Sequence, residues 1–340
     1  MRISKFSILF LVLIMLLGAC NQETNGGGEE SSGGGNDTLT WGSASLGSQG
    51  YVIIEALAST ANNYVDDFRN STISTAGGAE NIVLLDQGEI QMGQATSDVL
   101  YAATNGIEPF QQETEFSQVF AYGYWSLPIL VPMDSDIQTI EDLKGKRLNV
   151  GTTGGSSSII ANAVLGEEGY DIIDEITLEH LNYQEAADAL NAGQIDASVL
   201  FHMAGNLVAA PFQELAQSME LRPLEFDQDI LETVTENNQG LSIETALADT
   251  FDFYTEDVQA PGMTGMLVTR PDTDEDIVYE LVKVLYENEE EVRNISPELN
   301  IFELDYAVEG LVKDYPVHPG AAKYFQEQGI WEDDMIISGQ

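Results

Sequence analysis

A unit of strand, small-residue loop and helix, followed by strand, loop, helix and strand, occurs twice in this chain. That repeat constrains the fold more than any other feature. The first copy opens on Leu39-Thr40-Trp41 and passes through the loop 42–50. A helix is predicted over 51–64, with apolar residues at 53, 54, 57, 58 and 61 on one face. A short strand over 71–75 leads through Ala76-Gly77-Gly78 to a helix over 79–87, and a strand from Glu89 runs into Gln94, Thr96, Ser97 and Asp98. The second copy opens on Arg147-Leu148-Asn149-Val150 and the loop 151–158. It continues with a helix over 159–166, a strand over 176–181, a helix over 184–192 and a strand over 194–200 that runs into Phe201-His202-Met203. The two second helices end alike, Leu85-Asp86-Gln87-Gly88-Glu89-Ile90 beside Leu190-Asn191-Ala192-Gly193-Gln194-Ile195. Glycine at that place is a helix stop.

Strands alternating with helices give an α/β fold of mostly parallel sheets flanked by helices. Two copies give two lobes. Lobe one is expected over 38–130 with the return 260–340, and lobe two over 131–259. The crossings, near Leu130-Val131-Pro132 and near Gln259–Met266, would be hinges. Residues 277–293 read as one long acidic amphipathic helix on lobe one. Ligands of open α/β sheets sit beyond the carboxyl ends of the strands, where both Gly/Ser/Thr loops lie. Tyr122, Tyr124 and Trp125, just before the first crossing, either wall the pocket or fill core.

A small-residue loop at a helix start is a polar receptor, because the first helical N–H groups have no internal partner and the helix dipole is positive there. A carboxylate or phosphate fits such a place, and Gly154-Gly155-Ser156-Ser157-Ser158 is the best candidate. The alternative is a plain tight turn with an N-cap. No Gly-Lys-Ser/Thr phosphate loop and no Gly-x-Ser-x-Gly elbow is present. The histidines are His180, His202 and His318, and neither His nor Cys has metal-ligand spacing. His202 is either a ligand contact or a structural hydrogen-bonder.

Arg2 and Lys5 precede an apolar run of about a dozen residues, Phe6 to Leu17, the length of a signal-peptide core and short for a membrane span. It ends in Leu17-Gly18-Ala19-Cys20, a lipoprotein cleavage box in which Cys20 becomes the acylated first residue. Residues 1–20 are thus expected to be a signal peptide with lipobox, and 21–37 a flexible linker of roughly 20–25 Å reach. One cysteine allows no internal disulfide. Acidic residues number 57 against 12 basic ones, a net charge of −45. Such a balance argues against nucleic acid and against anionic lipid as docking partners. It fits a solvated acidic coat suited to high salt.

The chain resembles the TAXI-type solute receptors of TRAP transporters (TRAP-associated extracytoplasmic immunogenic proteins) through nearly all of residues 38–332. The resemblance rests on the order and spacing of several segments. They are the loop from Gly42 to Tyr51, Ser74-Thr75-Ala76-Gly77-Gly78-Ala79-Glu80-Asn81, and Leu85–Ile90 with Thr96-Ser97-Asp98 after it. Further matches are Leu143–Arg147 before Val150-Gly151, Gly193–Ala197, and Val317-His318-Pro319-Gly320-Ala321. In the first loop Ser48 stands for a glycine of the family pattern and Gly50 for its first tyrosine, while Tyr51 keeps the second. The resemblance implies a two-lobed periplasmic-binding-protein type II fold and a small organic anion or amino acid in the interlobe cleft, glutamate-like or a dicarboxylate. It also implies delivery to TRAP membrane permease subunits.

Carried over, the solute contacts are Ser45, Gly47, Ser48 and Tyr51; Thr75, Gly77 and Asn81; Thr96 and Ser97; Thr153, Ser156, Ser157 and Ser158; and Phe201 and His202. His318 reads as a structural turn. No arginine is placed to grip a carboxylate, since Arg69 and Arg147 lie at strand starts. The expected protein is a monomer at the extracytoplasmic face of the membrane, held there by lipid at Cys20, with no cofactor, no metal and no enzymatic activity. Three rivals are a binding lipoprotein of an ABC importer with the same fold, a secreted hydrolase using Ser156–Ser158, and a surface lipoprotein without a small ligand.

Overall fold

The structure, a computed structural model, describes residues 37–339 apart from 47, 154, 205, 247–249, 252 and 255. The signal peptide, Cys20 and the spacer lie outside the described residues, as does Gly47.

The first copy of the repeat forms β1 (Asp37–Gly42), α1 (Gln49–Tyr64), β2 (Phe68–Ile73), α2 (Gly78–Asp86) and β3 (Met92–Thr96). Then come α3 (Ser97–Thr104) and the long β4 (Ser117–Ser126). The second copy follows β5 (Ile129–Pro132) as β6 (Arg147–Asn149), α4 (Ser156–Leu165), β7 (Thr177–Glu179), α5 (Tyr183–Asn191) and β8 (Ala197–Val199). Next are β9 (His202–Met203), β10 (Leu207–Val208), α6 (Ala210–Ala216), β11 (Leu221–Pro223), α7 (Gln228–Asn237), β12 (Ser242–Ala246) and β13 (Val258–Thr269). The chain closes with α8 (Glu275–Glu287), α9 (Glu289–Ile295), α10 (Leu304–Glu309) and α11 (Pro319–Gln328).

The larger sheet has the order β10-β9-β4-β13-β3-β1-β2, with β12 also on β13, and the smaller has β11-β5-β8-β6-β7. The trios β3-β1-β2 and β8-β6-β7 are parallel and equivalent, as the repeat requires. Each trio meets an antiparallel neighbour, β13 on β3 and β5 on β8, so both sheets are mixed. The segment 131–259 supplies strands to both sheets: β9, β10 and β12 pair in the larger one. The stretch Gln259–Met266 is no crossing. It lies inside β13, hydrogen-bonded to β3, β4 and β12, where a hinge would break three ladders.

The matched helix ends are the same structure. Gly88 and Gly193 have φ of 73° and 66°, the left-handed region open to glycine. One residue further, Glu89 N–H donates to Leu84 O at 2.9 Å and Gln194 N–H to Ala189 O at 2.8 Å. These 6→1 bonds satisfy carbonyls that the helix end would orphan. α1 buries Ile53, Ile54, Leu57, Ala58 and Ala61, the stripe predicted from its period, against the sheet that holds Trp41. The expected helix 277–293 breaks at Asn288, which ends α8 and begins α9, and whose Nδ2 donates to Val284 O at 2.7 Å. His318 caps α11: its Nδ1 accepts from Gly320 N–H at 3.2 Å and its Nε2 donates to Thr273 O at 2.9 Å. Acceptance at Nδ1 requires the neutral ring, and burial, which lowers its pKa, favours that form.

Candidate functional site

Five helices, α1 to α5, begin directly beyond the carboxyl ends of parallel strands or just past them. Two of these starts are closed by side chains. Ser48 accepts from Tyr51 N–H at 3.3 Å at the head of α1, and Asn182 and Glu185 form a capping box on α5. The other three, at Gly77 (α2), Thr96 (α3) and Gly155 (α4), carry no side-chain cap. Two of the three caps are glycines, which leave the first turn open to a ligand.

α3, from the larger sheet's side, and α4, from the smaller's, meet at their N-terminal ends. Asp98, in the first turn of α3, sits at that seam beside Ser156, in the first turn of α4. Asp98 is 4% exposed, and neither carboxylate oxygen accepts a hydrogen bond. Burial raises its pKa; the nearby Thr96 and Ser156 hydroxyls and the amides of Val99 and Asp98 itself oppose that without cancelling it.

An aromatic wall runs across the same region. Trp125 of β4 lies 6.3 Å from the ring of Phe201, which lies 6.3 Å from Tyr183 at the head of α5. Gly265 of β13 pairs with Thr96, and its missing side chain makes room for the Trp125 and Tyr122 rings. Trp125 donates its indole N–H to Gln49 Oε1 at 3.0 Å, and Tyr122 donates its hydroxyl to Gln94 Oε1 at 3.1 Å. Tyr122 and Trp125 are buried and Tyr124 half-buried.

Residues 41–329 match the model of the NMT1-like family. The chain belongs to the NMT1-like family. Its fold is similar to that of a putative sulfonate ABC transporter's periplasmic sulfonate-binding protein SsuA from Methylobacillus flagellatus KT. That protein is 16% identical, with a TM-score of 0.50 over 87% of this chain and 88% of the other. A TctC solute binding protein from Polaromonas matches at 16% identity and TM-score 0.49 over 80% and 90% of the two chains. The alkanesulfonate-binding protein SsuA from Xanthomonas axonopodis pv. citri, bound to MOPS, matches at 16% and 0.44 over 88% and 96%. At such identities the likeness concerns the fold, the two-lobed α/β architecture of periplasmic binding proteins.

In this NMT1-like chain the residues expected to touch solute fall into three groups. Ser45 and Thr153 are exposed loop residues, and Ser48, Tyr51, Gly77, Thr96, Ser156 and Ser157 are half-buried around the helix starts. Phe201 is half-buried in the aromatic wall. The others serve the frame. Asn81 is fully buried, and its Nδ2 donates to Gly42 O, Ser43 O and Gln94 O at 3.2, 2.8 and 2.8 Å, clasping β1 to β3. Thr75 Oγ1 donates to Ser43 O at 3.0 Å and accepts from Gly77 N–H at 3.2 Å. Ser97 Oγ donates to Gly240 O at 2.7 Å and accepts from Thr264 N–H at 3.1 Å. Ser158 is buried in the first turn of α4.

His202 is 1% exposed, with Nδ1 3.0 Å from Ser126 Oγ and Nε2 2.8 Å from Thr250 Oγ1. Burial pushes its pKa down to about 4, so at neutral pH it is an uncharged structural hydrogen-bonder. Gln49, Gln94 and Asp98 were not among the expected contacts. A carboxylate in a cleft read as an anion receptor gives no sequence signal in its favour.

Proposed function

We propose that this chain is an extracytoplasmic solute-binding lipoprotein of a TRAP transporter, anchored by lipid at Cys20. It takes a small organic anion or amino acid between its lobes and presents it to the membrane permease subunits. The observation that carries this reading is the meeting of two uncapped helix starts, one from each sheet, at one seam: Thr96 heading α3 and Gly155 heading α4. Amides at such ends bind a carboxylate without a basic side chain. That suits a chain in which Arg147 is committed to Asp196 at 2.7 Å and Arg69 to Asn62 O at 3.0 Å.

Solute touching both lobes favours their closed arrangement, and the permease reads that arrangement. A hydrolytic reading finds little support in the serines of α4. The ring Nδ1 of His180 is 3.1 Å from Gly151 O, His202 is enclosed by Ser126 and Thr250, and His318 caps α11.

The test is a thermal-shift screen of the processed protein against small carboxylates and amino acids, with native mass spectrometry of material as purified. Stabilisation by at least one of them, abolished in Ser156→Trp with the fold intact, is expected. No stabilisation by any small anion or amino acid, or unchanged affinity in Ser156→Trp, would overturn the placement. Uptake assays then separate the partners: dependence on an ion gradient is expected, and dependence on ATP would assign the chain to an ABC importer.

A further inference from the structure

Resting on that reading of the cleft, we infer that Asp98 is the counter-charge for a positively charged nitrogen of the solute, so that the site takes zwitterions and rejects wholly anionic acids. Two observations meet here. The head of α4, capped by Gly155 without a side-chain bond, attracts a negative group. A carboxylate from the facing helix α3 lies at that same head, buried, with the Thr96 and Ser156 hydroxyls near it but no group that meets hydrogen-bond geometry and no cation paired with it.

A buried carboxylate with neither a counter-charge nor a well-aligned hydrogen bond is costly, and native proteins keep one where something completes it. Among the described residues no cation completes Asp98: the ion-paired Lys and Arg side chains are bound to Glu175, Asp136, Asp196, Asp272, Glu280, Glu289, Glu332, Asp334 and Glu275, while Arg69 donates to Asn62 O and Arg222 to Ile137 O. A dicarboxylate at α4 would place like charge against Asp98, and repulsion in a shielded site is strong. An amino acid reverses the sign. Its carboxylate takes the amides of α4 while its ammonium, two bonds away, meets Asp98.

The experiment compares matched pairs on the wild-type protein by calorimetry. Each standard amino acid is set beside the desamino acid of the same skeleton, such as L-glutamate beside glutarate or L-leucine beside 4-methylpentanoate. At least one amino acid is expected to bind, with its desamino partner at least about tenfold weaker. Asp98→Asn, checked for folding by circular dichroism, is expected to lose at least about tenfold in affinity for that amino acid and to bring the pair together. A desamino acid binding as tightly as its amino acid, or Asp98→Asn binding the amino acid unchanged, would overturn the assignment and leave the solute-binding reading standing. No binding by any compound would overturn both. The wild-type comparison does not depend on how the variant folds.

Discussion

Trp125 on β4 donates its indole N–H to the side-chain oxygen of Gln49, the first residue of α1, at 3.0 Å. The bond fastens the loop after β1 to the strand that leads out of the larger sheet. It also fixes the ring that faces Phe201. Replacing Gln49 by Leu leaves this N–H without its acceptor, at a cost of about 1 kcal/mol in the half-buried setting. Urea denaturation followed by circular dichroism will read the loss. Trp125 fluorescence will report whether solute still moves the ring, with Trp125→Phe as the silent control.

Asn81 makes a sharper case, since one amide nitrogen serves three carbonyls at the ends of β1 and β3. Asn81→Ala should destabilise the protein by roughly 2–3 kcal/mol. Asn81→Asp should cost more, because a carboxylate would face acceptors alone. The order of the two urea midpoints checks this. Equal stability of both variants would show that the clasp does not hold the strands.

A buried and a half-buried group give the stability of the protein opposite pH slopes. His202 has a pKa of about 4 in the fold, below its ordinary value of 6.5, so the unfolded chain binds the proton first. Its contribution is complete above the ordinary value and is lost as pH falls toward about 4, on the order of 3 kcal/mol in all. Glu244, raised to about 7 from 4.5 by burial and then by repulsion from Glu309, acts the other way. The fold holds its proton longer, so stability falls as pH rises through that interval. His202→Gln should flatten the acid limb of a stability profile, and Glu244→Gln should gain at pH 8 over wild type but not at pH 4. Profiles parallel to wild type in both variants would contradict these assignments.

Gly240 lies where the chain returns from α7 to β12, against α3. A methyl there would stand 2.6 Å from Tyr101 Cβ and 2.8 Å from both Asp98 Cα and Ser97 O. Backbone on that side cannot yield, so Gly240→Ala should push the return segment off α3 and break the Ser97–Gly240 bond. A loss of about 1–3 kcal/mol is expected, with faster amide exchange around 238–241. Unaltered exchange there would mean that the segment does not bear on α3.

Much of the frame was legible from spacing. The apolar stripe of α1, the αL glycines 88 and 193, and the order of the repeated elements are local properties, set by helical period and by which residues accept positive φ. The break at Asn288 was not legible, because residues on both sides keep the helical period while the backbone of Asn288, at φ −121° and ψ 26°, leaves the helix between them. Among the expected contacts, Asn81 and Ser97 sit in the right segments but turn toward backbone. A polar residue beside a small-residue loop reads the same whether it faces a ligand or a carbonyl.

By itself the sequence determined that two equivalent α/β units exist and that their loops open at the carboxyl ends of the strands, because periodicity and helix caps act over a few residues. Which strands belong to which sheet was decided by tertiary structure alone. β9, β10 and β12 pair in the larger sheet from within a segment that reads as part of the smaller: β9 joins β4, where His202 lies opposite Ser126, β10 joins through β9, and β12 joins through β13, whose Gly265 lies opposite Thr96 of β3, and none of these distant pairings leaves a mark in the local period. The same holds for the seam. Asp98 and Ser156 are unremarkable first-turn residues in the chain, and only the approach of α3 to α4 makes one a buried charge aimed at the other's helix.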